Sequence, residues 1–463
     1  MLHNGKKHFG YKWLIVFILL ACLKASAQSN TLTLKDALAS ADKNYPAVKA
    51  RMDYIKAAQQ NIKEARREYI PSLIAGEQLN YATANSLPGT YFSYGLSTSG
   101  EITPQNLNNP SFGQISGIFS EWPVFTFGQN RAKIDLAKNQ EKLAEAGLDN
   151  ERFQLAVKTA QAWFDLAALI NLRKSQEDNL KRAETMRRLI RPLTINGLKP
   201  GVDSVTANAE VSKAKMSLLD AQKNEALQRN YLSMLMGGLD ITNTTPDTII
   251  LQKLPPELVP EGSAANNPLI SYYMQEESVN NAREKLARRD YLPKISMLGA
   301  WWGRGSGISP VAPNTVDPSF SDGTDLKRFN YAIGLEASIN ILDYPRMAAQ
   351  ANTLKYQTMG LHEETNEQKL QLQSQLKNAD DYYSSAYQKA KESPVLVNAA
   401  QTAYKQKLAM YNAGLTNFTD LAQALYNVNE AEAQNAISYN DVWKALLYKA
   451  VPTGDMNILL KQL

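Results

Sequence analysis

One cysteine, Cys22, and three histidines, His3, His8 and His362, are all the thiols and imidazoles in the 463 residues. Three of the four crowd into the first 22 positions, and His362 stands alone in the polar run Leu361-His362-Glu363-Glu364. A Cys/His metal cluster or a Cys-His pair needs several such side chains to converge, and they are not available. Gly303-x-Gly305-x-Gly307 has neither the strand-to-helix setting nor the lysine of a phosphate cradle. The paired acids Asp380-Asp381 and Glu363-Glu364 read as solvated helix faces. No catalytic residue, cofactor or metal is expected, and the chain reads as something other than an enzyme. Two carboxylates do recur in matched surroundings. Asp203 follows Asn196-Gly197-Leu198 and Asp420 follows Ala413-Gly414-Leu415, six residues after the glycine in both cases. At such a place a turn glycine ends one helix and an acid favours the positive start of the next.

The elements that would position these residues begin after an address. Lys6, Lys7 and Lys12, the apolar run Trp13 to Leu23, and Ala25-Ser26-Ala27 before Gln28 have the order of a cleavable secretory signal over residues 1–27. Cys22 leaves acylation open as a second route of processing. Removing residues 1–27 takes four lysines and no acid, so the net charge falls from +5 to +1. A near-neutral chain has no basic face for nucleic acid.

The remainder is a duplication. Pro46 and Pro71 recur 222 residues on as Pro268 and Pro293, and Gly197 and Asp203 recur 217 residues on as Gly414 and Asp420. Ala65-Arg66-Arg67-Glu68-Tyr69-Ile70-Pro71 and Ala287-Arg288-Arg289-Asp290-Tyr291-Leu292-Pro293 differ only by Glu/Asp and Ile/Leu. A first repeat is expected over 28–236, with helix 34–68, strands 72–83 and 112–126, and helices 129–196 and 203–236. A Gly-, Pro- and Thr-rich connector covers 237–266. The second repeat, 267–450, has helix 267–290, strands 294–302 and 329–342, and helices 345–413 and 418–450, followed by a tail, 451–463.

Each strand pair flanks a polar loop, 85–110 or 303–327. The clearest strand places Tyr331, Ile333, Leu335, Ala337, Ile339 and Ile341 on one face, and Ala332, Gly334, Glu336, Ser338 and Asn340 on the other. That alternation fits a tilted membrane strand and equally a half-buried strand of a soluble sheet. Trp122, Trp301 and Trp302 near strand ends suit a membrane-interface belt or a packed core. From Arg131 to Gly197, and from Arg346 to Gly414, the chain reads as helix on the order of 100 Å long at 1.5 Å per residue. Pro192 is expected to end or bend the first rod and Pro394 to kink the second.

This order, with its paired Ala-Arg-Arg-x-Tyr-x-Pro blocks and paired Gly-Leu-(x)4-Asp turns, resembles the TolC-type outer membrane efflux family over nearly all of 28–463. The resemblance implies a mainly α protein with membrane β: a homotrimer whose four strands per chain form one 12-stranded β-barrel on a long α-helical periplasmic tunnel. It implies the outer membrane of a Gram-negative bacterium, in contact with its lipid. The chain would be the exit duct of a tripartite efflux or type I secretion system, with a periplasmic adaptor and an inner-membrane pump of the RND, ABC or MFS type. Lone four-stranded sheets leave open edges that lipid does not tolerate, which agrees with threefold closure. The turns Asn196-Gly197-Leu198 and Ala413-Gly414-Leu415 carry over as adaptor-docking tips; a plain helix-ending glycine is the alternative. Asp203, Tyr411, Thr416, Asp420 and Gln423 carry over to the periplasmic constriction. There Tyr411 would bond Asp203 and three copies of Asp420 would form a carboxylate ring. Thr416 replaces a gating arginine and Gln423 a second aspartate, so a weaker latch and weaker cation block are expected. The rival readings are a periplasmic adaptor, which normally has one helical hairpin, and a structural coiled-coil protein of the envelope, which would lack the strands.

Overall fold

The computed structural model describes residues 31–85, 106, 108–247, 253–256, 263–308 and 315–463. The expected signal, with Cys22, and most of the 85–110 loop lie outside these residues. Helices dominate. In chain order the elements are β1 (Thr31–Leu32), α1 (Leu34–Asn44), α2 (Pro46–Arg67), β2 (Ser72–Ala82), β3 (Ser111–Phe125), α3 (Gln129–Ile195), α4 (Gly201–Leu235) and β4 (Thr245–Pro246). Then come α5 (Pro268–Asp290), β5 (Lys294–Ser306), α6 (Phe320–Thr324), β6 (Arg328–Ser338), α7 (Tyr344–Asn412), α8 (Phe418–Thr453) and α9 (Asn457–Leu460).

Where helix was expected over 34–68 there are two helices. Pro46 has no N–H to donate and forces the residue before it out of helical geometry; Tyr45 is extended, at φ −65 and ψ 127. Thr33 caps α1, its side chain accepting from the Asp36 amide at 3.1 Å. Pro192 and Pro394 are tolerated inside α3 and α7, and neither ends its helix. At Pro394 the reason is visible. The Ala390 carbonyl loses its normal i+4 donor, and the Ser393 hydroxyl donates to it instead at 3.2 Å. α8 runs to Thr453, with Pro452 in its last turn, and stops at Gly454, which adopts φ +70.

Two compact units divide the chain, and they cut across the repeats. One takes Ile55–Leu143 and Gln275–Leu361; the other takes Met1–Tyr54, Ala144–Met274 and His362–Leu463. The first unit holds a four-stranded antiparallel sheet in the order β2-β3-β5-β6, one hairpin from each repeat joined through β3 and β5. Directly opposed residues share a face. One face therefore carries Leu73 and Ala75, then Ile118 and Trp122, then Met297 and Trp301, then Tyr331, Ile333 and Leu335. The other carries Ser72, Glu121, Ser296 and Glu336, where the Ser296 hydroxyl donates to Glu121 at 3.3 Å. Two strand ends depart from expectation. β5 extends to Ser306, and β6 stops at Ser338. Beyond Ser338 the Asp343 carboxylate accepts from Asn340 at 2.5 Å and from Arg346 at 3.0 Å, and this local turn outcompetes the ladder. The loop after β5 contains α6, whose Phe320 packs edge-on against Phe112 at 5.2 Å. Trp122 donates to the Tyr69 carbonyl at 2.9 Å, and Trp301 stacks on Phe329 at 5.7 Å.

The second unit contains the remainder of α3 and α7, with α4 and α8. Its centre is aromatic. Trp163 and Phe164 are buried and meet edge-on at 5.3 Å, and Phe164 stacks on Trp443 at 6.2 Å. The first strand and the connector are both tied to this centre: Trp163 donates to the Leu32 carbonyl of β1 at 2.9 Å and Trp443 to the Lys253 carbonyl of the connector at 3.1 Å. β1 pairs in parallel with β4 beside them. Arg182 reaches Glu432 at 2.8 Å, and Gln401 donates to the same carboxylate at 3.1 Å, linking α3, α7 and α8. Asp380 is not merely solvated, because it accepts from the buried Lys449 at 2.7 Å.

The helix-turn tips as candidate functional site

All the residues singled out at the tips belong to the second unit. Each tip closes a helix by the same device. The Gly197 amide donates to the Thr194 carbonyl at 3.2 Å and the Leu198 amide to the Leu193 carbonyl at 2.9 Å. At the other tip, Gly414 donates to Tyr411 at 3.1 Å and Leu415 to Met410 at 2.8 Å. Both are six-to-one Schellman closures. They require a left-handed residue, which Gly197 (φ +70) and Gly414 (φ +78) supply without the Cβ penalty. The closure turns a leucine outward each time: Leu198 is 68% and Leu415 72% exposed. Asn196 and Ala413 are the residues just before the glycines, exposed on the same turns.

Behind the tips the four helix ends close over an apolar cluster of Ala183, Met186, Ile190, Val211, Phe418 and Leu421 with Tyr411 inside it. The Tyr411 hydroxyl donates to the Asp203 carboxylate at 2.9 Å, joining the end of α7 to the first turn of α4. Burial first, then that hydrogen bond, push the Tyr411 hydroxyl above the ordinary phenol range. Lys199 adds a second tie. Its ammonium lies 4.5 Å from the Tyr411 ring centroid and donates to the Tyr411 carbonyl at 3.4 Å.

Asp420 has a different environment. Its carboxylate accepts from Lys407 at 3.1 Å and from the Thr416 hydroxyl at 2.9 Å. The hydrogen bond from Lys407, then that from Thr416, hold Asp420 below the usual carboxylate range. Capping of α8 falls to Asn417, whose side chain accepts from the Asp420 amide at 2.8 Å. Gln423 bonds within its own helix, to Asn427 at 2.9 Å. Sequence reading missed Lys407 and Lys199. Lys407 lies 13 residues before Asp420 across the turn, an interval that no helical spacing rule flags.

Residues 37–238, the span that holds the first tip, match the family described as outer membrane efflux protein. The second repeat copies the element order of that span, and solved channels share the fold of both repeats together. The outer-membrane channel OprN is 16% identical with a TM-score of 0.71, covering 91% of this chain and 89% of that one. The Campylobacter jejuni CmeC outer membrane channel is 13% identical with a TM-score of 0.72, covering 91% and 85%. The Vibrio cholerae outer membrane protein VceC is 15% identical with a TM-score of 0.70, covering 91% and 96%. No curated protein matches the chain. The fold of these solved channels, with its helical and β parts, thus extends through both tips.

Proposed function

We propose that this chain is one third of a trimeric exit duct in the outer membrane of a Gram-negative cell. The observation that carries the reading is the sheet. Its outer strands β2 and β6 each have one unpaired edge and are exposed along their whole length. One sheet face also leaves Tyr331, Ile333 and Leu335 between 71% and 80% exposed. In water this would be an aggregating surface. In lipid the apolar face is satisfied, provided the edges pair, and three copies supply twelve strands in a closed ring. Strands of 11 to 15 residues are long enough to cross at a tilt. A soluble adaptor has no use for such a face.

The two tips are then the periplasmic end of the duct. Gly197-Leu198 and Gly414-Leu415 offer a backbone without side-chain cover beside an exposed apolar anchor, which suits the docking of an adaptor hairpin. Through that adaptor the duct would serve an inner-membrane pump, which would choose the cargo. The Tyr411–Asp203 bond acts as the closing latch, and the ion pair with Lys407 leaves the Asp420 ring partly neutralised. The decisive experiment is extraction and reconstitution. The protein should need detergent, run at the mass of a trimer, and form pores in planar bilayers; a water-soluble monomer without conductance would end the proposal.

A further inference from the structure

The unit that holds the sheet also contains a groove. It lies between the first four turns of α3 and the last turns of α5 and encloses about 760 Å3. Arg131, Lys138, Lys142, Lys285 and Arg289 line it, against a single acid, Asp135. The spacing is deliberate in effect: Arg131, Lys138 and Lys142 follow one stripe of α3, and Lys285 and Arg289 are one turn apart on α5.

Neighbouring charges on other faces of the same helices find partners. Lys133 pairs with Glu68, and Gln129 donates to Asp290. Arg288 reaches Glu284 at 2.8 Å. Within the groove, Arg289 is used to hold the turn that starts α3, donating to the Phe127 carbonyl at 3.2 Å. Phe127 and Gly128 there both have positive φ, +49 and +89. Arg131, Lys138, Lys142 and Lys285 form no ion pair among the described residues. Five cations gathered against one acid repel one another, so the arrangement favours an anion that bridges the two helices. The N-terminus of α3 adds positive potential at one end of the groove.

The geometry points to a binding site for a phosphate-bearing anion between α3 and α5. The lining of the groove begins at Gly128, three residues after the end of β3, and ends at Arg289, five residues before the start of β5. If those strands cross the membrane, it faces the depth of the inner-leaflet headgroups, so a phospholipid headgroup is one source of the phosphate and free phosphate the other. The lipid source alone rests on the proposed duct.

Native mass spectrometry of the detergent-solubilised full chain separates the possibilities. It would compare phosphatidylglycerol, phosphatidylcholine and inorganic phosphate as probes. Parent protein is compared with K138Q/K142Q/K285Q and with K181Q/K223Q/K405Q, which removes equal charge at exposed lysines elsewhere. Anion affinity should fall on the order of 100-fold in the groove variant and stay unchanged in the control. Preference for phosphatidylglycerol over inorganic phosphate assigns a headgroup; equal or better binding of inorganic phosphate assigns free phosphate. Undiminished binding by the groove variant, or equal loss in the control, overturns the site. The same spectra report subunit number, so a trimer that ignores these anions removes this site and leaves the duct standing. A monomer that binds them does the reverse.

Discussion

Asp420 and Asp203 occupy matched positions in the two repeats, yet the fold gives them opposite tasks. Asp203 receives the hydroxyl of a buried tyrosine, whereas Asp420 is bound to Lys407 near solvent. Removing the lysine should leave the carboxylate without its counter-charge, with Thr416 still donating to it. Lys407→Gln is expected to strengthen block by divalent cobalt in single-channel recordings, and an unchanged block would remove Lys407 from the constriction. Tyr411→Phe deletes a hydrogen bond to a charged acceptor, worth about 1.5–3 kcal/mol or on the order of 10- to 100-fold in a closed-to-open ratio. Open probability should rise by that order. The pH dependence follows from the two shifts. The raised Tyr411 hydroxyl contributes stability that is present below the ordinary phenol pKa and is lost as pH rises through its folded value. The depressed Asp420 contributes stability that is present above the ordinary aspartate pKa and is lost as pH falls through its folded value. Closure by these groups should therefore be flat between about pH 4 and 10. Tyr411→Phe should lack the alkaline limb; a limb that survives in it would assign the titration to another group.

At the scale of the element, the tips depend on left-handed backbone that only glycine adopts freely. Gly197→Ala has open space for its methyl group, so the penalty is conformational, about 1 kcal/mol. Amide exchange across 190–205 should quicken roughly fivefold while the rest of α3 is unaffected. Equal protection in the variant would show that the turn does not need φ +70. These turns were legible in the sequence, because Gly-Leu before an acid at a repeated interval has few other meanings. The break at Tyr45–Pro46 was also written there, in the steric demand of proline on its predecessor. Continuation through Pro394 was not, since it rests on Ser393 standing in for the missing donor.

For the whole molecule, the two faces of the sheet should respond oppositely to one charge. Leu335→Arg places a cation on the apolar face, at about 2–4 kcal/mol near the bilayer midplane, and should abolish assembly in the outer membrane. Glu336→Arg changes more charge, but on the polar face, and should assemble while shifting ion selectivity. Cell fractionation followed by heat-modifiable mobility on gels reads both. If Leu335→Arg inserts as well as Glu336→Arg, the apolar face does not meet lipid.

What the sequence determined by itself was periodicity: two copies of one unit, strands with alternating faces, long helical runs, and the glycine turns between them. These are local properties, set by side-chain volume, backbone sterics and spacing along the chain. The tertiary structure decided pairings between residues far apart in sequence. It joined Tyr411 to Asp203, gave Asp420 a counter-charge in Lys407, and buried Lys449 against Asp380. It also gathered cations from two helices into one groove. Such contacts depend on the register in which helices pack, and no local pattern carries that register.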